Sequence, residues 1–466
     1  MTCRRRPCAT GGLALALMLA GCTTMIPGYE RPAAPIAQNY PGATAAQAPG
    51  GAAASQIEWQ SYFGDARLKR LIEVALNNNR DLRVAVLNIE QARAQYQLRR
   101  SDELPTLGIG AAGSRQPGPG GSIVSTYSAG LVVPAYELDF FGRVRSLSAA
   151  ALAQYLGTEE ARKNVQIALI SSVASSYLNM LADDGLLAVT RSTLLTREES
   201  LKLTRLKFDA GAASELDYRQ AESLFEGARA ALALLTRQRA VDENALVLLL
   251  GQSMPADLPP GQSIAGQTLI NELPVGLPSE VLVRRPDVRQ AEQQLIAANA
   301  NIGAARAAFF PQITLTGSAG SASSELSGLF KSGSFAWSFA PQLLLPIFDA
   351  GRNQANLELA NVNREIAVAQ YEKAIQTAFR EVSDALAGRA TLGVQVRAQA
   401  AQVNAEAVRF KLADLRYRNG VANYLDVLDA QRALFVTQLA LVQVQAQEVQ
   451  NQVALYKVLG GGWKTP

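Results

Sequence analysis

The chain has 466 residues and a formal net charge of +4, with 44 basic and 40 acidic side chains. Apolar residues make up 48% of the chain and aromatic residues only 6%, a balance typical of closely packed long helices. Histidine is absent and the three cysteines lie within the first 22 residues, which excludes histidine-dependent catalysis, histidine-ligated or cysteine-ligated metal sites and a disulfide framework in the body of the chain.

The N-terminus is typical of a secretory signal peptide. Three arginines at residues 4–6 form a positive n-region, and the apolar run at residues 13–20 is too short to span a bilayer. The segment ends in Leu-Ala-Gly-Cys at residues 19–22, which resembles a bacterial lipobox. By that resemblance residues 1–21 are removed and Cys22 becomes the acylated first residue. The alternative is an ordinary signal peptide with an incidental cysteine.

Residues 22–60 are predicted to be a lipidated N-terminal tether, because this stretch is rich in Pro, Gly and Ala. Thr23 follows the cysteine, and in bacterial lipoproteins a second residue other than aspartate implies the outer membrane. Beyond this point no run of 18 consecutive apolar residues occurs, so no transmembrane helix is predicted.

The body of the chain consists of two copies of one domain-sized unit. A shift of about 209 residues superimposes residues 206–221 on residues 415–430 and aligns Gly211 with Gly420. A slightly smaller shift aligns the segments that precede them. The two predicted repeats cover residues 61–270 and 271–466.

Each repeat is predicted to contain the same elements in the same order. A helix (65–102 and 284–308) ends before a proline, two strand-like segments follow, and a long helix and a return helix are joined by a glycine turn. The strands are predicted within residues 105–138 and 311–348, and the long hairpins within residues 143–250 and 352–460.

The long helices predict an extended architecture. A helix over residues 143–208 would be roughly 100 Å long, far more than a globular core requires. Leu187, Leu194, Leu201 and Phe208 recur every seven residues, a coiled-coil spacing. We therefore predict a fold that is mainly α, in which long antiparallel hairpins form a wall of helices, with a smaller β part.

The strand segments suit a wall between lipid and water. Residues 312–318 alternate in polarity, and residues 334–340 place aromatic side chains on one face. The equally favoured alternative is a small soluble sheet packed on helices. Four strands cannot close a transmembrane barrel, for which about eight is the minimum, so membrane-spanning strands would require several chains to share one barrel.

Taken together, these features resemble the outer-membrane efflux protein family, the TolC-like outer-membrane factors, in the lipoprotein form that serves resistance-nodulation-division (RND) drug pumps. The most specific stretch is residues 415–432, and residues 284–288 are typical of the drug-pump branch. The resemblance implies a homotrimer in which four strands per chain give one shared β-barrel of twelve. It also implies an α-barrel tunnel through the periplasm, closed at the hairpin tips.

Two carboxylates are candidates for a pore constriction. Asp426 and Asp429 are three residues apart and share one helix face, so a trimer would carry two rings of three carboxylates. The family uses this position as a narrow, cation-favouring constriction, and a carboxylate ring in a narrow tube attracts cations. The alternative is helix capping, with Asn423 as N-cap, which accounts for Asp426 better than for Asp429.

Asp217 and Tyr417 match family positions that hold the closed tip. The arginine usually found two residues after the turn glycine is replaced by Ala422, so the gate is expected to be weaker or to use Arg416 or Arg418. The alternatives are an N-terminal cap for Asp217 and a helix-seam position for Tyr417.

The hairpin turns are candidates for docking a periplasmic adaptor. Gly211 and Ala212 in the first turn, and Gly420 and Val421 in the second, are small enough to let helix tips approach closely. The alternative is ordinary turn chemistry, in which glycine supplies a positive φ.

No enzyme motif and no cofactor or metal site is predicted, and the near-neutral mature chain gives no reason to expect a nucleic-acid partner. The predicted function is a lipid-anchored outer-membrane exit duct of a tripartite efflux pump, partnered by a membrane-fusion adaptor and an RND pump. The alternatives are the duct of an ABC-type protein secretion system and a periplasmic coiled-coil scaffold lipoprotein.

Overall fold

The computed structural model describes residues 24–37, 39–41, 56–267, 269 and 284–463. The predicted signal peptide, Cys22 and most of the predicted tether therefore lie outside the described residues. The helices are α1 (Trp59–Tyr62), α2 (Ala66–Asn78), α3 (Arg80–Ser101), α4 (Arg143–Asp209), α5 (Glu215–Leu250), α6 (Pro286–Ala307), α7 (Arg352–Arg418) and α8 (Tyr424–Val458). The strands are β1 (Gly108–Pro117), β2 (Ile123–Glu137), β3 (Gln312–Ser323) and β4 (Phe335–Leu344).

The helices and strands follow the predicted order and end within a few residues of the predicted limits. The two long helices, α4 and α7, each contain 67 residues. One prediction was wrong: the helix expected over residues 65–102 is interrupted at Asn79, whose ψ is 132°. Asn79 Oδ1 accepts a hydrogen bond from the backbone N–H of Leu82, and Asn79 Nδ2 donates to the carbonyl of Leu249. Asn79 thus caps α3, and its side chain connects the break between α2 and α3 to α5 through a hydrogen bond.

The chain divides into two compact units. The strand unit contains residues 87–160 and 289–374 together with the N-terminal segment up to residue 33. The hairpin unit contains residues 34–86, 161–288 and 375–466. Both units are described only within the ranges given above.

The strand unit is built on a four-stranded antiparallel sheet in the order β1-β2-β3-β4. The registers place Leu131 opposite Ile109 and Ala319, and Trp337 opposite Ala319, so these side chains share one face of the sheet. Ser318 and Ser338 pair on the other face, where their hydroxyls lie 2.7 Å apart. One face is therefore apolar and the other carries small polar groups, as the alternation predicted.

The N-terminal segment of the strand unit lies along α6. It has no regular secondary structure over residues 24–33, yet Arg31 makes a bidentate ion pair with Glu292 and Asn299 Nδ2 donates to the carbonyl of Pro27 at 2.8 Å. This part of the predicted tether is therefore docked on the protein rather than extended into solvent.

The hairpin unit has its largest core where α1 and α2 meet α4 and α8. Tyr62 and Tyr456 stack with ring centroids 4.0 Å apart, and each hydroxyl donates to a backbone carbonyl. Ile170, Val173 and Tyr177 of α4 are fully buried beside them. One 18-residue window of α4 has a mean hydropathy of 1.4, enough by length and composition to cross a membrane, but 56% of it is buried in the structure, as expected of a core helix.

Candidate functional site at the hairpin turns

The two hairpin turns have the same backbone geometry. Gly211 and Gly420 both have φ of 72°, a left-handed conformation that glycine adopts at little cost. Their N–H groups donate three residues back, to Phe208 and Tyr417, and the next N–H groups donate five residues back. Both turns are therefore Schellman motifs, which terminate α4 and α7.

The turns are open on their outer side. A side chain at Gly211 or Gly420 would meet no neighbouring atom within 4 Å, and Val421 is 68% exposed. Ala212 is exposed as well. The smooth surface needed for adaptor docking is present, while the positive φ satisfies the turn-chemistry alternative. The docking role stays a prediction.

Asp217 takes part in a capping box at the start of α5. The backbone N–H of Asp217 donates to Ser214 Oγ at 3.1 Å, and Ser214 N and Oγ donate to Asp217 Oδ2 at 3.2 and 2.7 Å. The contacts of this carboxylate in the chain are those of the capping alternative. Its predicted role in a gate stays a prediction.

Asp426 and Asp429 are both exposed on α8, while Val427, Leu428 and Ala430 between and beside them are buried. The two carboxylates therefore share the helix face that is not packed within the chain. The Asp426 N–H donates to Asn423 Oδ1 at 3.1 Å, which makes Asn423 the predicted N-cap.

The two carboxylates differ in their partners. Asp429 forms an ion pair with Arg409 of α7, which also holds Glu406 at 3.1 Å. Among the described residues, the Asp426 carboxylate has no hydrogen-bonding or ion-pairing partner. The hydrogen bonds that Arg409 donates to Asp429 and Glu406 raise the pKa of Arg409. Of these two carboxylates, Asp426 is therefore the one without a positively charged partner in the described part of the chain.

Tyr417 lies at the contact between the two hairpins. Lys207 of α4 places its Nζ 3.1 Å from Tyr417 Oη and 4.3 Å from the ring centroid. The Tyr417 ring also contacts Tyr424, with centroids 5.0 Å apart, beside a small core of Ala221, Val427 and Leu428. Tyr417 is thus a seam residue that also carries a directed polar contact.

Sequence reasoning missed Lys207 and Arg409. It favoured Arg416 or Arg418 as partners at the tip, but Arg418 pairs with Asp414 one turn earlier in its own helix, at 2.8 Å. A signal for Lys207 was present, because the shift of about 209 residues aligns its neighbour Phe208 with Tyr417.

A buried acidic pair lies farther from the turns, between α4 and α5. Asp183 is 6% exposed, and the carboxyl group of the half-buried Asp242 is close enough to interact with it. Burial, together with the neighbouring carboxyl group of Asp242, raises the pKa of Asp183 to about 7. Arg239 pairs with Asp184 at 3.1 Å and with Glu243, so the positive charge nearby is shared. The sequence patterns did not single out this pair.

Within the described ranges, no group of three or more Asp, Glu, Cys or His side chains could hold a metal ion. The site consists of helix ends, exposed carboxylates and a tyrosine contact. Groups of this kind can select and restrict passage, and the described part of the site pairs no nucleophile with a base.

Comparison with known proteins decides the family. The sequence profile of the outer membrane efflux protein family matches residues 71–252 and again residues 277–461. The chain belongs to this family. The solvent efflux pump outer membrane protein SrpC of Pseudomonas putida is 50% identical over 460 residues, covering 96% of this chain and 97% of the relative. The outer membrane protein OprJ of Pseudomonas aeruginosa is 48% identical, covering 98% and 97%.

The fold has solved counterparts. The open state of the MtrE outer membrane channel of Neisseria gonorrhoeae matches with a TM-score of 0.87 and 42% identity, covering 95% of this chain and 99% of that one. The predicted fold class and the predicted function as an outer-membrane efflux channel are confirmed. The family consists of channel proteins rather than enzymes, and it is found in the outer membrane.

Proposed function

We propose that three copies of this chain form the exit duct of a tripartite efflux pump. Each copy would contribute four strands to one barrel in the outer membrane and its two hairpins to a periplasmic tunnel. The duct has no energy source of its own, so an inner-membrane RND pump would drive transport, coupled through a periplasmic membrane-fusion adaptor.

The observation that carries this proposal is an open sheet with an exposed apolar face. Every residue of β4 is exposed, including Phe335, Trp337 and Phe339 at 73%, 71% and 62%. Among the described residues, β1 pairs only with β2 and β4 only with β3, which leaves two unpaired edges. Apolar faces and open edges are avoided in water, and joining β4 of one copy to β1 of the next removes both edges.

The strand lengths support a membrane span. The strands contain between 10 and 15 residues, and about 9–11 tilted residues suffice to cross a bilayer. The sheet proposal is tested by labelling a cysteine placed at Ser324, between β3 and β4, in intact cells with a reagent that does not cross the outer membrane. Labelling supports the duct, whereas protection until the membrane is broken supports the scaffold alternative.

Lipid anchoring at Cys22 is part of the proposal. The Thr24 backbone lies close to Gly142, between the end of β2 and the start of α4, where a Cβ on that glycine would be 2.7 Å from the Thr24 Cα. Thr24, at the start of the described residues, therefore lies at the end of the strands from which α4 begins. Mass spectrometry of the mature N-terminus tests this: acyl chains support it, and a free cysteine supports the ordinary signal peptide.

The cargo is proposed to be drugs, organic solvents or other small molecules. The similar proteins are named for efflux of solvent, toluene and antibiotics, and they cover nearly the whole chain. A crosslinked pull-down from the native envelope tests the partners. Recovery of an adaptor with an RND pump supports the proposal, and recovery of an ABC exporter would replace the cargo by protein or peptide.

The exposed face of α8 is proposed to line the inner end of the duct. Asp426 and Asp429 lie on a helix face that the chain itself does not cover, while the neighbouring apolar residues are buried. In a trimer these would form the two carboxylate rings, of which the Asp426 ring carries the uncompensated charge. The open turns at Gly211 and Gly420 would meet the adaptor.

A further inference from the structure

We propose that the pocket between the N-terminal segment and the end of α6 binds a phospholipid of the outer membrane, with Arg306 holding the phosphate of the headgroup. The inference rests on the proposed function, because it requires the strands to cross the membrane. The site is separate from the hairpin turns and from the predicted lipid anchor at Cys22.

The pocket has a volume of about 520 Å³ and lies within the strand unit. Three of its lining residues come from the N-terminal segment and three from the end of α6 and the residues that follow it: Thr24, Met25, Ile26, Arg306, Phe309 and Phe310. Four of the six are large apolar side chains, and one, Arg306, is charged. Such a lining suits a molecule that has hydrocarbon chains and one anionic group.

Close packing holds the N-terminal wall of the pocket in place. A Cβ on Gly303 of α6 would lie 2.7 Å from Ile26 Cγ1 and 2.8 Å from the Ile26 backbone nitrogen, so this approach requires glycine. Asn299, about one helical turn earlier, donates from Nδ2 to the carbonyl of Pro27 at 2.8 Å. The pocket is therefore preformed, which lowers the entropy that a ligand must lose on binding.

The charge of Arg306 is available for a ligand. Among the described residues, its guanidinium has neither a hydrogen-bonding nor an ion-pairing partner. In the sequence, Arg306 is the only charged residue between Glu292 and Glu325. Glu292 pairs with Arg31 and lies about 21 Å earlier along the helix. A guanidinium binds a phosphate through two parallel hydrogen bonds, and no acidic side chain of the pocket competes for them.

The pocket lies at one end of the sheet. Residues 308–311 separate the end of α6 from the start of β3, and Thr24 lies beside Gly142 at the start of α4. The connections between β1 and β2 and between β3 and β4 lie at the opposite end. With the strands across the bilayer, the pocket would lie at the periplasmic surface of the membrane, where the phosphates of that leaflet are found. Basic pockets at such a surface bind lipid headgroups.

The first repeat has a matched position that lacks these features. The shift that aligns Pro105 with Pro311 also aligns Arg100 with Arg306. Arg100 is followed by Ser-Asp-Glu-Leu, whereas Arg306 is followed by Ala-Ala-Phe-Phe. Two carboxylates, which repel a phosphate, thus replace apolar residues in the first repeat. Of the two aligned arginines, Arg306 is the one that combines a free charge with an apolar pocket.

The test measures the binding of phosphatidylglycerol to the purified full-length trimer by native mass spectrometry in mild detergent. We expect up to three molecules per wild-type trimer, one for each pocket. Arg306→Gln should weaken binding about tenfold, as loss of a charge-assisted hydrogen bond does, and Arg306→Lys should retain most of the affinity. Arg100→Gln is the matched control from the first repeat and should bind as wild type does. Equal affinities for wild type and Arg306→Gln would refute the site.

Two further measurements separate recognition of the phosphate from apolar contact alone. Diacylglycerol has the same chains without the phosphate, so it should bind about tenfold more weakly than phosphatidylglycerol. Equal binding of the two lipids would overturn the role of Arg306. Cys22→Ser removes the predicted acylation site and should leave phosphatidylglycerol binding unchanged. Binding to Cys22→Ser but not to wild type would show that the chain's own acyl groups fill the pocket, which would contradict the proposal.

Thermal unfolding distinguishes lipid binding from a purely structural role. Arg306 lies in the last turn of α6, where a positive charge also stabilises the helix dipole. A lower melting temperature for Arg306→Gln together with wild-type lipid binding would leave Arg306 with that role only.

Failure of the site and failure of the duct are distinguishable. If a cysteine placed at Ser324 is labelled in intact cells while Arg306→Gln binds phosphatidylglycerol as wild type does, the duct stands and the site is refuted. If that cysteine is protected until the membrane is broken, the sheet does not cross the membrane, and the phospholipid site is refuted together with the duct.

Discussion

The two hairpin turns share a backbone and differ in their side chains. Position 217 of the first aligns with position 426 of the second, and both are aspartates three residues after an N-cap. The Asp217 carboxylate accepts hydrogen bonds from its cap residue Ser214, whereas the Asp426 carboxylate accepts none from Asn423 among the described residues. The two turns thus share a backbone, and of the two aligned aspartates only Asp426 is exposed and has a carboxylate without a partner among the described residues.

The aligned residues Phe208 and Tyr417, which precede the turn glycines, also differ in their contacts. Phe208 stacks within its own hairpin, while Tyr417 meets Lys207 of the other. The residues that both repeats share, such as Gly211 and Gly420, build the turn. The contacts that only one repeat makes, such as that of Tyr417 with Lys207, distinguish the two turns.

The largest effect is expected from the carboxylates. Replacing Asp426 and Asp429 together by Asn should strongly reduce cation selectivity, because the two rings would lose their charge at nearly constant volume. Reversal potentials in planar bilayers under a salt gradient measure this. Asp217→Asn is the matched control and should leave the reversal potential unchanged. Equal shifts of the reversal potential for both variants would contradict the claim that only the second turn lines the pore.

Substitution of the turn glycines comes next. Gly211→Val and Gly420→Val force a branched residue into a left-handed conformation, and each should cost about 1–2 kcal/mol in the free energy of unfolding. Because the two backbones agree, the two losses should be similar, as chemical denaturation can measure. A loss at only one of the two glycines would show that the turns are not equivalent.

The same variants test docking separately from folding. Gly420→Val should abolish adaptor-dependent resistance in cells while trimers persist on native gels. Loss of the trimers would instead identify the glycine as a turn residue only.

The buried acidic pair predicts a pH dependence that does not involve the turns. Because the pKa of Asp183 is raised to about 7, its contribution to stability is fully present below about pH 4 and is lost as the pH rises to about 7. Asp183→Asn should remove this loss and stabilise the protein at pH 8 by roughly 1 kcal/mol or more. Thermal unfolding at pH 5 and pH 8 measures it. Asp384→Asn, at an exposed aspartate of α7, is the control and should change stability little at either pH. An equal gain for Asp183→Asn at both pH values would contradict the prediction.

The smallest effect is expected from the caps. Ser214→Ala and Asn423→Ala should each cost about 1 kcal/mol, typical of a lost N-cap. Ser214→Ala should cost somewhat more, because it also breaks the capping box with Asp217. Urea denaturation measures the free energy of unfolding of both variants. A larger loss for Asn423→Ala would contradict the expectation that the capping box makes Ser214 the stronger cap.

Local patterns were enough to predict most of the fold. Hydrophobic periodicity, prolines and glycine turns located the helices and strands, and the internal repeat provided a second indication of each element. The break at Asn79 was not predicted, because it depends on a bond to the carbonyl of Leu249, 170 residues away. The local sequence keeps its helical periodicity through Asn79, which is why one continuous helix was predicted.

The site was predictable only in part. Asp426, Asp429 and Tyr417 were found through the motif that carries the family resemblance. Lys207 and Arg409 were not found, because the local sequence does not distinguish a lysine or arginine that contacts another helix from one that is only solvated. Their partners, Tyr417 and Asp429, lie on neighbouring helices and not in the same local pattern.

The central claim is that three chains share one duct whose inner end carries the carboxylates of the second turn. Cryo-electron microscopy of the protein in lipid nanodiscs tests it most directly. We predict three copies around one axis, with β4 of each chain paired to β1 of the next and with Asp426 and Asp429 facing that axis. A sheet that lies outside the lipid, or an α8 whose carboxylates point away from the axis, would contradict the account.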